Sequence, residues 1–496
     1  MNVRTIASLA ALGALAAALL GGPVGAAPTP PPSSTLLPVP TPTIAGTPLP
    51  YPAYGTPAPD VASLRPVAGV PTSVSLTQAV DLAVMGSPAF ASQRAQYNAI
   101  RAKYSSELQA LFPSISATGS VTRSFGGGSS SQNNNANPNA TPTPGVNSNL
   151  GNAVTTDERA SISVQQLIFD GGRVIAAIKS AKESDIAGRD TLLRDLQTLE
   201  FDVANAYYLV LQDNATIAAD AQLVREFQTQ EDNVNAEIRA GAAAKSDLSS
   251  AEFQTAKARG QLVTAQGAAI AAQSNFAAAL GLDADAQVVP QPLTNGEIPL
   301  QVTQTYAKAV GQALLLRPDY DAAKHTVASS QDDLRFAKLG RFPTITANAQ
   351  DGVARSLPFN NSFSHSSSIG ATINIPIYDQ GQTSYNIAVA QSQLDQADAA
   401  LLQTKLGVES GVRSALSGLI SARALLVQAN LELSSAQVAL NAAQAKYRVG
   451  AATIIDLVTA EANLSQAQTD DVTAVYNAQT AQQAYDFAVG LSTLKL

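Results

Sequence analysis

Two phrases of this 496-residue chain set cations, glycine and carboxylates at one spacing. Glu237-Ile-Arg-Ala-Gly-Ala-Ala-Ala-Lys-Ser-Asp-Leu-Ser-Ser-Ala-Glu252 answers Lys446-Tyr-Arg-Val-Gly-Ala-Ala-Thr-Ile-Ile-Asp-Leu-Val-Thr-Ala-Glu461, so Arg239, Gly241 and Asp247 match Arg448, Gly450 and Asp456. Such residues carry the chemistry of helix ends. Glycine past a last turn is a C-cap, a cation beside it complements the helix dipole, and a carboxylate at the start of a returning helix accepts its unpaired N–H groups. Capping alone accounts for the pattern. Bond-making chemistry has no footing: there is no Walker-type phrase, no glycine cradle after a strand, and no nucleophile, base and orienter at triad spacing. Zero cysteines exclude a disulfide scaffold and thiolate metal sites. The two histidines, His325 and His365, have no partner at ligand spacing and read as surface residues. No enzyme, cofactor or metal site is expected.

The phrases belong to a longer duplication. Asp170, Gly172, Gly281 and Leu282 recur as Asp379, Gly381, Gly490 and Leu491, each pair 209 positions apart, as are 239 and 448. A constant offset over more than a hundred residues means two equivalent halves. Each half reads as a helix, a strand, a loop, a second strand, a very long helix, a glycine turn and a returning helix. The first helices, 76–111 and 302–339, end at Phe112-Pro113 and Phe342-Pro343, where proline stops a helix and can begin a strand.

Four segments, about 113–125, 155–169, 343–356 and 366–378, alternate apolar with polar residues. Ile345, Ala347 and Ala349 oppose Thr344, Thr346 and Asn348; Ile369, Ala371, Ile373, Ile375 and Ile377 oppose Ser368, Gly370, Thr372 and Asn374. Period two gives each strand one apolar and one polar face, which fits a strand pair on a soluble core as well as a membrane barrel. Aromatic residues at the strand ends, Phe112, Phe125, Phe169, Phe342, Phe359, Phe363 and Tyr378, favour lipid, as the girdle of a barrel would. Four strands cannot close, and an open edge in hydrocarbon leaves backbone groups unpaired, so this reading requires oligomerisation. The connector 126–152 and its shorter counterpart 357–364 read as surface loops.

Residues 1–26, with Arg4, an apolar run from Ile6 to Leu20 and small residues to Ala26, read as a signal peptide. Residues 27–72 form a proline-rich spacer, since 28–71 hold fourteen of the 27 prolines. The remaining divisions are a first repeat, 73–282, an equatorial linker, 283–301, and a second repeat, 302–496. A net charge of −8 has the wrong sign for nucleic-acid binding.

The long helices, 172–239 and 381–448, would each run roughly 100 Å at 1.5 Å per residue. Val412, Leu419, Leu426, Leu433 and Leu440 lie seven apart and end at Tyr447, and a second seam, Val408, Ala415, Ala422, Ala429, Ala436 and Ala443, is nearly all alanine. In the first half Leu196, Val203, Val210, Ile217 and Val224 continue to Ile238 with a break at Glu231. Seven-residue spacing imposes a left-handed supercoil, and alanine lets helices approach closely. The wall of a hollow cylinder or a solid bundle would each show these seams.

Tyr-x-Val-Gly-x-x-Thr-Ile-x-Asp at Tyr447 to Asp456, Phe-Asp-Gly-Gly at Phe169 to Gly172 and the Phe-Pro strand starts resemble the TolC family of outer-membrane efflux and secretion channels, over about Val74 to Leu491. The resemblance implies a mainly α fold with a small β part: a homotrimer whose twelve strands form a transmembrane β-barrel continued by a twelve-helix tunnel. It implies a periplasmic tip gate, with Asp456 in an aspartate ring and Asp247, Tyr447, Arg448 and Arg239 in links between helix pairs. Gly241, Ala242, Gly450 and Ala451 fall where a periplasmic adaptor would dock. Ala452 and Thr459 stand where the best-known pattern has an arginine and a second acid. A gate held by Arg448 or by packing, and a single charge ring, are therefore expected. The implied function is a passive conduit in the outer membrane, exporting small molecules with an adaptor and an inner-membrane pump of RND or ABC type. A type I protein secretion conduit shares this fold. A non-conducting periplasmic coiled-coil scaffold is the alternative of another class.

Overall fold

A computed structural model describes residues 73–125, 154–241, 244–292, 305–357 and 360–492. The expected signal peptide, spacer and 126–152 connector, part of the linker, Ala242 and Phe359 lie outside them. The first half comprises β1 (Ser73–Val74), α1 (Leu76–Gly86), α2 (Pro88–Gln109), β2 (Ser114–Phe125), β3 (Val154–Phe169), α3 (Arg173–Arg239) and α4 (Lys245–Ala279). After β4 (Val289–Pro290) come α5 (Tyr306–Leu316), α6 (Pro318–Lys338), β5 (Thr344–Leu357), β6 (Asn360–Asn374), α7 (Gln382–Arg448) and α8 (Ile454–Val489).

The first helix of each half is divided, where the apolar spacing predicts one continuous rod. Ser87 and Arg317 are extended (ψ 118° at both) ahead of Pro88 and Pro318. A residue before proline is pushed out of the helical region, while proline itself suits the first helical turn. Ser75 opens α1 with a reciprocal capping box: its Oγ accepts from Gln78 N at 3.3 Å, and its N–H donates to Gln78 Oε1 at 3.0 Å.

The strands and the helices form two compact units. In the first, β2, β3, β5 and β6 make one antiparallel sheet in that order, with β2 and β6 at its edges. Directly opposed residues share a face. Ile115, Val164, Ala349 and Ile369 form one apolar row, and Ser116, Ser163, Gln350 and Ser368 a polar row on the other face. Hydroxyls bond across the polar face, Ser116 to Ser163 at 2.8 Å and Thr118 to Ser161 at 3.1 Å. The apolar face is interrupted at Asp351, which shares a row with Ile162 and accepts from Ser367 Oγ at 2.5 Å.

The last strand corrects the sequence expectation of 366–378. It starts at Asn360, inside the segment read as a loop, and stops at Asn374. Ile375 and Ile377 continue the alternation but stand outside the sheet, because the intervening Pro376 has no N–H to donate.

In the helical unit α3 and α7 each run 67 residues. The Asp-x-Gly phrase repeated before them is a cap. Asp170 accepts from the N–H groups of Gly172 and Val174 at 2.9 and 2.6 Å, and Asp379 from those of Gly381 and Thr383 at 3.1 and 2.7 Å. The short helices pack on the long hairpins in equivalent places. Val80 and Ala83 of α1 join Val203, Tyr207 and Phe276, and Ala309 and Ala313 of α5 join Val408, Val412 and Leu419. Gly281 makes the first contact possible: its φ is +75°, and a Cβ there would lie 2.2 Å from Gly86 O. The linker between the halves carries β4, which pairs in parallel with β1.

Candidate functional site

The turns between α3 and α4 and between α7 and α8 hold most of the residues singled out by spacing. Gly241 and Gly450 take φ of 73° and 74°, a left-handed conformation that glycine adopts without strain. At the second turn the cap is a complete Schellman motif, with Gly450 N donating to Tyr447 O at 2.9 Å and Ala451 N to Lys446 O at 2.8 Å. The first turn repeats the inner bond, Gly241 N to Ile238 O at 3.0 Å.

The returning helices start differently. Thr453 and Asp456 form a full box: Thr453 N donates to Asp456 Oδ2 at 2.8 Å and Asp456 N to Thr453 Oγ1 at 3.2 Å. Asp247 accepts from Ala244 N at 3.2 Å, but an alanine side chain offers no acceptor in return. The Thr453 N–H and hydroxyl hold the Asp456 carboxyl below the usual carboxylate range. Arg239 and Arg448 are exposed at the helix ends, and neither forms an ion pair among the described residues.

Tyr447 joins the two halves. Its hydroxyl donates to Glu237 Oε2 at 3.1 Å. Burial first, then the Glu237 carboxylate, pushes the phenol up to about 12, and Asp247 adds to the shift. The sequence marked Tyr447 and Asp247 but not Glu237, whose 209-residue counterpart is Lys446. A carboxylate one turn before the repeated glycine, opposite a tyrosine in the other half, was the available signal.

A cleft of ≈ 690 Å³ opens beside this bond, between α3, α7 and α8. Glu461 lines it and is buried, and desolvation with Glu226 nearby pushes its carboxyl up to about 7. The repeat marked Glu461 only as a copy of Glu252.

Among the aromatic residues of the expected girdle, Phe112, Phe169, Phe342, Phe363 and Tyr378 are exposed, Tyr378 at 85 %. Phe125 pairs with Val154 at the far end of β2 and β3. Both histidines have carboxylate partners: His325 Nδ1 lies 2.7 Å from Glu183 Oε2, and His365 Nε2 lies 3.0 Å from Asp351 Oδ1. The described residues contain no cluster able to hold a metal ion, and no described helix is long and apolar enough to cross a membrane.

Residues 79–282 and 309–491 match the family model described as outer membrane efflux protein. The chain is 26% identical to the outer membrane efflux protein BepC of Brucella suis biovar 1 (strain 1330), over 71% of this chain and 77% of that protein. It is 24% identical to the outer membrane protein TolC of Escherichia coli (strain K12), over 67% of this chain and 68% of that protein. Among solved structures, the outer membrane protein VceC of Vibrio cholerae superposes with a TM-score of 0.69 at 18% identity, covering 84% of this chain and 96% of that one. CusC does so with a TM-score of 0.71 at 20% identity, covering 84% and 92%.

Proposed function

Since the chain belongs to the outer membrane efflux protein family, we propose that it works as the outer-membrane channel of a tripartite efflux system, a passive conduit built from three copies. It lies in the outer membrane and passes small molecules outward, with energy supplied by an inner-membrane pump of RND or ABC type through a periplasmic adaptor. The open sheet carries this reading. Among the described residues β2 and β6 have no partner on their outer edges, and the alternating antiparallel order leaves them running in opposite directions. β6 of one copy can therefore continue antiparallel onto β2 of the next. Closure removes every edge, which a barrel in lipid requires. The apolar faces support the same assembly, with Ile369 89 % exposed in the lone chain. Along α7, Ile420, Val427, Leu431 and Val438 form an exposed apolar stripe at seven- and four-residue steps, the seam another helix would cover.

At the tip, the Tyr447 to Glu237 bond holds the two hairpins of one copy together, and Asp456 from each copy narrows the mouth as an acidic ring. Arg239, Arg448 and Asp247 are the further candidates for links between helix pairs there. An adaptor inserts beside Gly241 and Ala242 and beside Gly450 and Ala451, and opens the gate by binding the open state more tightly than the closed one. Native mass spectrometry of detergent-purified protein tests the assembly: a mass of three chains is expected, and a lone subunit overturns it. Cross-linking from Ala451 to a co-expressed adaptor tests the docking, with a mid-helix position as control; equal yields at both count against it.

A further inference from the structure

Glu461 is 9 % exposed, and its Oε2 is sealed from solvent without a hydrogen-bond partner. Its copy Glu252 stands exposed on α4, so the burial comes from packing in the second half and not from the repeated phrase. An unpaired charge at such depth is costly, and buried carboxylates are ordinarily matched by a cation or by donors.

The cleft that Glu461 lines has the volume of a small-molecule site. Glu226 and Glu237 of α3 line it as well, with the rings of Phe227 and Tyr447 and the amide of Gln444. Arg448 is the one cationic side chain among the lining residues, and it pairs with none of the three carboxylates. The described residues offer no group of three ligating side chains placed to hold a metal ion, so a bare metal is not the complement. An ammonium group is. It donates several hydrogen bonds from one point, and it is attracted both to carboxylates and to aromatic faces.

We propose that the cleft between α3, α7 and α8 binds a small organic ammonium ion, whose charged end sits between Glu461 and Glu226 and whose body lies against Phe227. The site is built within one chain, so it does not depend on assembly or conduction. Burial and Glu226 hold the Glu461 carboxyl at about 7. A cation beside it favours the carboxylate, so binding at neutral pH releases a proton.

Calorimetric titration of the full chain in detergent with benzylamine, at pH 7 in two buffers of different ionisation enthalpy, tests this. Saturable binding with net proton release is expected. Glu461→Gln should weaken it at least tenfold and abolish the proton release. Glu226→Gln, at an exposed position where the fold tolerates change, should weaken it several-fold while keeping the release; Asp395→Asn, exposed on α7 outside the cleft, should bind as the parent does. Absence of saturable binding, equal binding of the uncharged benzyl alcohol, or parental affinity in both Glu461→Gln and Glu226→Gln overturns the site.

Discussion

The Tyr447 hydroxyl donates to Glu237 Oε2 across 3.1 Å, and this bond ties the tip of the second half to that of the first. With the phenol pushed up to about 12, it stays a donor across the physiological range. Because the folded value lies above the ordinary 10, the contribution is complete below pH 10 and is lost as pH rises through about 12. Tyr447→Phe should loosen the hairpins by about 1 kcal/mol, as loss of one hydrogen bond typically does. In planar bilayers the variant should open more often than the parent near neutral pH. Equal open probability would separate this bond from the gate.

Asp456 behaves in the opposite sense. Its carboxyl is held below the ordinary value by Thr453, so its support for the first turn of α8 is present above the ordinary carboxylate pKa and is lost as pH falls through the lowered one. Asp456→Asn should speed amide exchange in that turn at neutral pH. It should also reduce cation selectivity and block by multivalent cations, if three copies form the ring; unchanged conductance properties would remove Asp456 from it.

For Glu461, burial makes the charged form the costly one. Its folded value of about 7 lies above the ordinary 4.5, so stability is greatest below pH 4.5 and declines as pH rises through 7. Glu461→Gln should therefore melt higher than the parent at pH 8, with no difference at pH 4. A lower melting temperature at pH 8 would mean that the carboxylate is paired.

Glycine substitutions separate packing from turn strain. Gly281→Ala drives a Cβ to 2.2 Å from Gly86 O at a positive φ, and should destabilise by about 3 kcal/mol or more. Gly241→Ala meets open space and pays only its φ, about 1 kcal/mol. Gly260, inside α4 with nothing near its Cβ position, should gain about 1 kcal/mol on change to alanine. Thermal melts of the three variants should follow that order.

On the apolar face of the sheet, Ile369→Arg should cost roughly 2–4 kcal/mol if its row lies at the bilayer midplane. The variant should be lost from the outer-membrane fraction while Ser368→Arg, on the polar face, is retained. Equal recovery of both would argue against lipid contact.

The sequence by itself determined the duplication, the long helices and the chemistry of the turns, because heptad spacing, glycine and the acids of a cap act locally and recur at one offset. Leu419, Leu426 and Leu440 of the expected seam are buried for that reason. Local signals also misled where they competed. The alternation through Ile375 and Ile377 reads as strand, yet Pro376 ends the ladder, and the prolines at 88 and 318 divide helices whose apolar spacing runs straight on. What only the tertiary structure decided is which residues of the two halves meet. Glu237 faces Tyr447, and Glu461 is buried while its copy Glu252 is exposed, because the halves pack against each other through unlike surfaces of like helices. Repetition in a chain carries no record of that asymmetry; it arises when the second hairpin covers one face of the first.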